Sequence, residues 1–291
     1  MCKEITQDNY KDIILEMVEE FKNDERDIEE FLIWQSRFHK YSAKNSMLIF
    51  RQNRYASFCA SYKDFKKMGI PVKSGEQGIK ILTPVKIKEF KKDGKWQRIY
   101  YAPKEVKEEI KQGAYETREK TQFIIGHVFD ITQTIAAKED IPKLIELGNE
   151  NKNYKELFEM YAELIKSEGI EIEEMTSLVI RGEASLDTES NKKEIRISTM
   201  IDDTLKLGTL LHEYGHIILK HFDEMLDIKK EQKEAEADIF SILFENKHGL
   251  DQTKTRLDHL KGQFKSLEPV EIKNAFERAY KAFSNISKVF A

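Results

Sequence analysis

His212, Glu213 and His216 form the pattern H-E-x-x-H inside the run Leu210-Leu211-His212-Glu213-Tyr214-Gly215-His216-Ile217-Ile218-Leu219. On an α-helix, residues four apart lie on one face about one turn from each other. The two ring nitrogens can then converge on a single cation, and the glutamate between them comes close enough to act on a water held there. The flanking leucines and isoleucines bury such a helix, and buried imidazoles with no shared partner would each cost free energy. The pattern therefore points to a zinc ion and to metal-assisted hydrolysis, with Glu213 carrying the proton.

A zinc site of this kind takes three protein ligands and keeps one position open. The segment Lys233-Glu234-Ala235-Glu236-Ala237-Asp238-Ile239-Phe240 is the best source of the third. It follows a polar connection at residues 229–232 and runs into an apolar helical stretch ending near Gly249. Two antiparallel helices would bring its first turn back against the histidine helix. Glu234 and Asp238 are four apart and share a face, which suits Glu234 as ligand and Asp238 as the acceptor that orients a histidine. Glu236 is turned by about 200° from Glu234 and reads as solvated. An ordinary acidic helix start, favoured by the dipole, would contain the same residues. A metzincin would need a histidine six residues after His216, where this chain has Phe222, and glycine where it has Leu219. His221 therefore reads as a helix-end histidine beside the C-terminal dipole. His39, His127, His248 and His259 have no partner at ligand spacing and read as structural or surface residues. Residues 193–198 alternate polar and apolar, as in a half-buried strand. That strand is either an edge on which a substrate backbone can pair or an ordinary core strand.

A chain of 291 residues, 40% apolar and 34% charged, has room for two domains with real cores. No apolar run reaches the length of a membrane span, and the first five residues lack a signal-peptide core, so the expectation is a cytoplasmic protein with no membrane partner. Two cysteines, Cys2 and Cys59, with no C-x-x-C, fit a reducing compartment and leave no cysteine metal site.

The net charge of −4 hides an asymmetry: residues 1–30 carry −7, residues 31–104 carry +13, and residues 105–291 carry −10. Such contrast marks an anion-binding module joined to something else. Within the basic block, helices are expected over residues 28–39, from Ser42 as N-cap, and over residues 61–68 before Gly69 and Pro71. Then the period changes. Ile79-Lys80-Ile81-Leu82 and Val85-Lys86-Ile87-Lys88 alternate like strands, Asp93-Gly94 supplies a hairpin turn, and residues 96–101 return as the partner, with a further strand at 123–131. Helices at 250–262 and 269–289 close the chain. The fold class is thus α+β: a small basic α+β domain at 1–136 and a mainly helical domain at 137–291.

Aromatic residues interleave with the bases: Trp34, Phe38, Tyr41, Phe50, Tyr55, Phe58, Tyr62, Phe65, Trp96, Tyr100 and Tyr101. Single-stranded nucleic-acid binders combine a cationic groove with stacking rings. Core packing of the rings and plain solvation of the lysines would leave the same pattern. Arg37, Lys40, Lys44, Arg51, Arg54 and Lys73 are the candidate phosphate contacts.

The stretch Trp34…Tyr41-Ser42-x-x-Asn45…Leu48-Ile49-x-x-Gln52-Asn53, followed by Gly69-x-x-Val72-x-x-Gly75-Glu76-x-Gly78-Ile79-x-Ile81-Leu82-x-Pro84, resembles the N-terminal single-stranded DNA-binding domain of ArdC-type antirestriction proteins. Phe129-Asp130-Ile131-Thr132-Gln133-Thr134 resembles the strand that closes that domain. In that family a zincin-like metallopeptidase domain follows, and residues 212–216 sit where its motif is expected. Glu234 corresponds to the glutamate of the E-x-x-A segment in the ImmA/IrrE metallopeptidases. The resemblance covers about residues 28–134 and 155–245; residues 104–120 look like a charged insertion. It implies a gluzincin-like set of His212, His216 and Glu234 holding zinc, with Glu213 catalytic. It implies a protein of conjugative or other mobile elements that binds transferred single-stranded DNA and protects it from restriction endonucleases. Tyr41 and Asn45 join the candidate DNA contacts, although Ser42 as a cap and Asn45 as a buried hydrogen-bonding residue would be structural. A DNA-binding protective protein with a structural or vestigial zinc site, and an ImmA/IrrE-like protease cleaving a repressor, are the rival readings.

Overall fold

The computed structural model describes residues 4–23, 25–37, 40–136, 154–250 and 253–290. Apolar residues at helical spacing build α1 (Tyr10–Asn23), which buries Ile13, Ile14, Met17, Val18 and Phe21. Helix α2 (Glu25–Gln35) buries Ile28, Phe31 and Leu32. Helix α3 (Ala43–Gln52) starts at Ser42, whose side chain accepts from the Asn45 N–H and so satisfies an otherwise unpaired backbone donor. Ser61 does the same for α4 (Tyr62–Lys67).

Strands β1 (Cys59–Ala60), β2 (Ile79–Lys92), β3 (Lys95–Arg98) and β4 (Thr117–Asp130) form an antiparallel sheet in the order β1-β4-β2-β3. The two apolar runs around Pro84 are one continuous strand. Pro84 sits opposite Phe123 of β4, and β3 pairs with β2 only from Glu89 onward, so the missing proline N–H can face an unpaired edge. Asp93 and Gly94 have φ of 51° and 74°, the left-handed pair that a two-residue hairpin turn needs. The expected return strand ends early at Arg98, and residues Ile99–Tyr101 close into a short 3₁₀ turn. The charged segment after it forms α5 (Lys104–Lys111) and the first part of β4.

The second half contains α6 (Tyr154–Ser167), β5 (Ile170–Met175), β6 (Gly182–Asp187), β7 (Lys192–Ser198), α7 (Asp203–Ile218), α8 (Lys230–Lys247), α9 (Thr253–Phe264) and α10 (Pro269–Ser287). The sheet order is β5-β7-β6, with β5 parallel and β6 antiparallel to β7. Asp202 caps α7, and Glu268 with Glu271 makes a capping box ahead of Pro269 in α10. Helix α8 is enclosed by its neighbours: every residue from Ala235 to Glu245 is buried. The first three helices pack onto this part, α1 and α3 against α10 and α2 against α8 and α9. Phe21, Phe31 and Phe276 meet there at ring separations of 5.0 to 5.7 Å, so one hydrophobic cluster runs through both halves. Among the described residues, no helix is long and apolar enough to cross a membrane.

Candidate metal centre

Helix α7 presents His212 and His216 with their Nε2 atoms 3.2 Å apart. The first turns of α8 return alongside it and bring Glu234 Oε2 to 3.5 Å from His212 Nε2 and 3.8 Å from His216 Nε2. Ligands on a tetrahedral ion with bonds of about 2.05 Å stand about 3.3 Å from each other. The three donor atoms therefore already have the spacing that one divalent cation requires, and the imidazole and carboxylate chemistry suits it. Both histidine side chains are 13% exposed, which leaves the site reachable from one side.

The outer nitrogens of the two rings are held from behind. His212 Nδ1 lies 2.9 Å from Asp238 Oδ1. This contact is short but out of line with the ring N–H, so it acts mainly through charge. Asp238 is fully buried and is also engaged by His259 Nδ1 at 2.6 Å and Arg256 Nη1 at 3.4 Å. His216 Nδ1 lies 2.9 Å from His221 Nδ1, and His221 Nε2 lies 2.9 Å from Glu236 Oε2. Gln232 at 2.9 Å and Arg278 Nε at 2.8 Å complete the shell of Glu236. The carboxylate fixes a proton on His221 Nε2, which makes His221 Nδ1 an acceptor. His216 must then donate its Nδ1–H, and its Nε2 lone pair is left for a cation.

Glu236 is thus not solvated, contrary to the expectation from the sequence: it is fully buried. The turn that carries it away from Glu234 points it at His221 and α10 rather than at water. His221 likewise does more than end a helix; it is 4% exposed and supports His216. Sequence spacing offered no signal for Arg278, which comes from α10. His259 supports His212 only through Asp238, which the two rings share. His248 bonds Tyr161 Oη at 2.6 Å, and His127 is exposed; His39 and Phe38 lie outside the described residues.

Electrostatics follow from this packing. Burial disfavours charge on His212, but Asp238 and Glu234 outweigh it and raise its pKa to about 9 in the metal-free protein. Burial and the neighbouring His212 charge push His216 down to about 3. Glu234 is held below the usual carboxylate range by its hydrogen bond to His212. Burial raises the pKa of Glu213. That carboxylate packs against β6 and takes a hydrogen bond from the Ala184 backbone. The approach needs glycine at 182, because a Cβ there would stand 2.3 Å from Thr209 Cγ2 and 3.1 Å from Glu213 Cγ. Residues 193–198 lie in β7, the middle strand, so their edges are both occupied. Among the described residues, the edge strand beside the histidine helix is β6.

The candidate DNA contacts are dispersed and mostly engaged. Lys44 pairs with Glu277 at 3.0 Å, Arg51 with Glu20 at 2.5 Å, and Arg54 with Asp27 at 2.7 Å and Glu30 at 3.1 Å. Tyr41 donates to the Cys59 carbonyl at 2.8 Å. Asn45 bonds both backbone groups of Leu82, at 2.9 and 2.8 Å. Lys73 Nζ donates to the Thr132 carbonyl at 3.1 Å. Arg37 and Lys40 remain exposed, with Lys40 Nζ 5.0 Å from the Phe58 ring centre. The rings divide as well. Trp34, Phe50 and Phe65 belong to the core, while Tyr55, Tyr62, Tyr100 and Tyr101 are exposed.

Residues 7–129 match the family described as the N-terminal domain of the anti-restriction factor ArdC. An uncharacterized Bacillus anthracis protein, pXO2-81, is 28% identical over 283 residues, covering 90% of this chain and 47% of that protein. The chain therefore spans about half the length of the curated relative it matches. The antirestriction ArdC protein of plasmid R388 is similar in its metal-free crystal structure at a TM-score of 0.45 and in its Mn(II)-bound structure at 0.44. In both, identity is 17%, and the match covers 85% of this chain and 84% of that one. The family match concerns residues 7–129, and the likeness to the ArdC N-terminal domain is a statement about that region.

Proposed function

We propose that this chain is an antirestriction factor that joins single-stranded DNA binding to a zinc-dependent peptidase centre. The observation that carries the peptidase reading is the convergence of His212, His216 and Glu234 at tetrahedral spacing, with Glu213 alongside. Bound by these three residues, zinc supplies Lewis acidity, acidifying water and polarising a peptide carbonyl. Asp238 and the His221–Glu236 pair keep the two imidazoles turned inward. Glu213 takes the proton of the attacking water and returns it to the departing amine. Its burial and raised pKa suit a group that must hold that proton between the two steps. The edge of β6, which pairs with no further strand among the described residues, offers backbone groups on which an extended peptide can lie. A merely structural zinc would not need a carboxylate at position 213, which favours the enzyme over the vestigial reading.

DNA binding is supported by the family of residues 7–129 and by exposed rings set among bases, notably Tyr100 at 81% and Tyr101 at 73% exposure. Two measurements test the proposal. Elemental analysis of the purified chain is expected to give one zinc per chain, and titration with a labelled single strand is expected to give salt-sensitive binding. Protein that refuses zinc removes the peptidase half, and absence of binding at low salt removes the DNA half.

A further inference from the structure

A cleft of about 700 Å³ opens where α1 and α3 meet α10. Its lining brings together five cationic side chains, Lys11, Lys44, Lys273, Arg278 and Lys281, and one carboxylate, Glu277. That carboxylate is already shared by Lys44 at 3.0 Å and Lys273 at 3.3 Å. Lys11 and Lys281 are exposed and have no ion-pair partner among the described residues. Between the charges the wall is apolar, with Ile14, Leu82 and Val270, and aromatic, with Tyr10, Phe123 and Tyr280. Cavities of about 300–1,000 Å³ are of the size that encloses a small organic ligand. This one combines ring-bearing walls with surplus positive charge, which is the complement of a planar base carrying a phosphate.

Arg278 belongs both to this cleft and to the support of the metal centre. Its Nε bonds Glu236 at 2.8 Å and its Nη2 donates to the Leu219 carbonyl at 2.7 Å, while Nη1 has no partner among the described residues. From Glu236 the chain of contacts continues to His221 at 2.9 Å and to His216 at 2.9 Å. We infer that the cleft binds a free nucleoside monophosphate, with its phosphate at Lys11, Lys281 and the open Arg278 nitrogen, and that its occupancy is felt at His216. A phosphate on Nη1 restrains the guanidinium that positions Glu236. Each of the next two hydrogen bonds then passes the restraint toward the metal ligand. This second half rests on the zinc reading; the binding itself does not.

The test begins with the metal-free full-length chain, so that its result is independent of zinc. Calorimetric titration with deoxyadenosine monophosphate is expected to show one site per chain, with deoxyadenosine at least about tenfold weaker. Lys11→Glu with Lys281→Glu should weaken the monophosphate by about tenfold or more and leave the thermal melt unchanged. Equal affinity for the nucleoside, or an unaffected double variant, would overturn the site. A single-stranded oligonucleotide is expected not to displace the monophosphate; displacement would assign the cleft to a DNA strand and overturn the free-nucleotide ligand. Zinc affinity is then measured by chelator competition, with and without saturating monophosphate. A change of about fivefold is expected in the parent chain and none in Arg278→Lys. An unchanged zinc affinity in the parent chain, with nucleotide bound, would overturn the link to His216.

Discussion

The candidate metal centre and the basic block treat charge in opposite ways. At the centre, charges are few, mostly buried and placed by four packed helices, so each carboxylate has a definite partner: Asp238 serves His212 and His259, and Glu236 serves His221 and Arg278. In the basic block, charges are many and exposed, and much of the surplus is met by acids from elsewhere in the chain. Glu20, Asp27 and Glu30 answer Arg51 and Arg54, Glu4 answers Lys80, and Glu277 answers Lys44. The acidic first thirty residues are therefore partly a counter-charge for the block that follows. A net charge counted along the sequence overstates the field that the folded surface presents to a phosphate.

Substitutions can break this contrast. The largest effect is expected from Glu213→Gln, which should lower cleavage of a true substrate by about 100- to 10,000-fold. Elemental analysis should still find zinc in that variant; loss of the metal instead would make Glu213 part of the holding set. Next come the two supporting carboxylates. Asp238→Asn and Glu236→Gln are each expected to weaken zinc binding by about 10- to 100-fold in chelator competition. If Glu236→Gln binds zinc as the parent does, the buried chain behind His216 is packing alone.

Asn45→Ala should cost about 1–3 kcal/mol in denaturant unfolding, because it strips both backbone partners from Leu82. Single-strand affinity should be unaltered; a fall in affinity without a fall in stability would return Asn45 to the DNA surface. Smaller still is the difference expected between Arg54→Ala and Lys40→Ala. Each phosphate contact contributes about 0.7 to the log–log salt slope of single-strand binding. Lys40→Ala should reduce that slope, and Arg54→Ala should leave it alone, since Arg54 is occupied by Asp27 and Glu30. Finally, Cys59 is buried and its thiol pKa is raised by burial and by Asp130, so thiolate is withheld at pH 8. Mass-spectrometric mapping should find Cys59 unalkylated in the native protein and modified after denaturation.

The elements that carry strong local signals were legible without coordinates. The cap at Ser42 and the Asp93-Gly94 turn each satisfy a local backbone demand, so a short window suffices to read them; the helix from Ser61 was read by its closing Gly69 and Pro71. Helices α1, α5 and α6 and strands β1, β5 and β6 passed unread. β6 (Gly182–Asp187) has weak apolar alternation, and its position comes from pairing with β7 and from the space left by Gly182. Of the two readings of residues 193–198, a pairing edge or a core strand, the structure takes the second. Alternation identifies a strand but carries no information about which strands flank it.

By itself the sequence determined the pair His212 and His216 with Glu213 between them, and the shared face of Glu234 and Asp238, because helical spacing is a property of consecutive residues. Only the tertiary structure decided that Glu236 turns inward to His221, that Arg278 reaches it from α10, and that Arg51 and Arg54 spend their charge on the first two helices. Those partners are 15 to 42 residues apart, and packing of whole helices, not spacing along any one of them, brings them within hydrogen-bond reach.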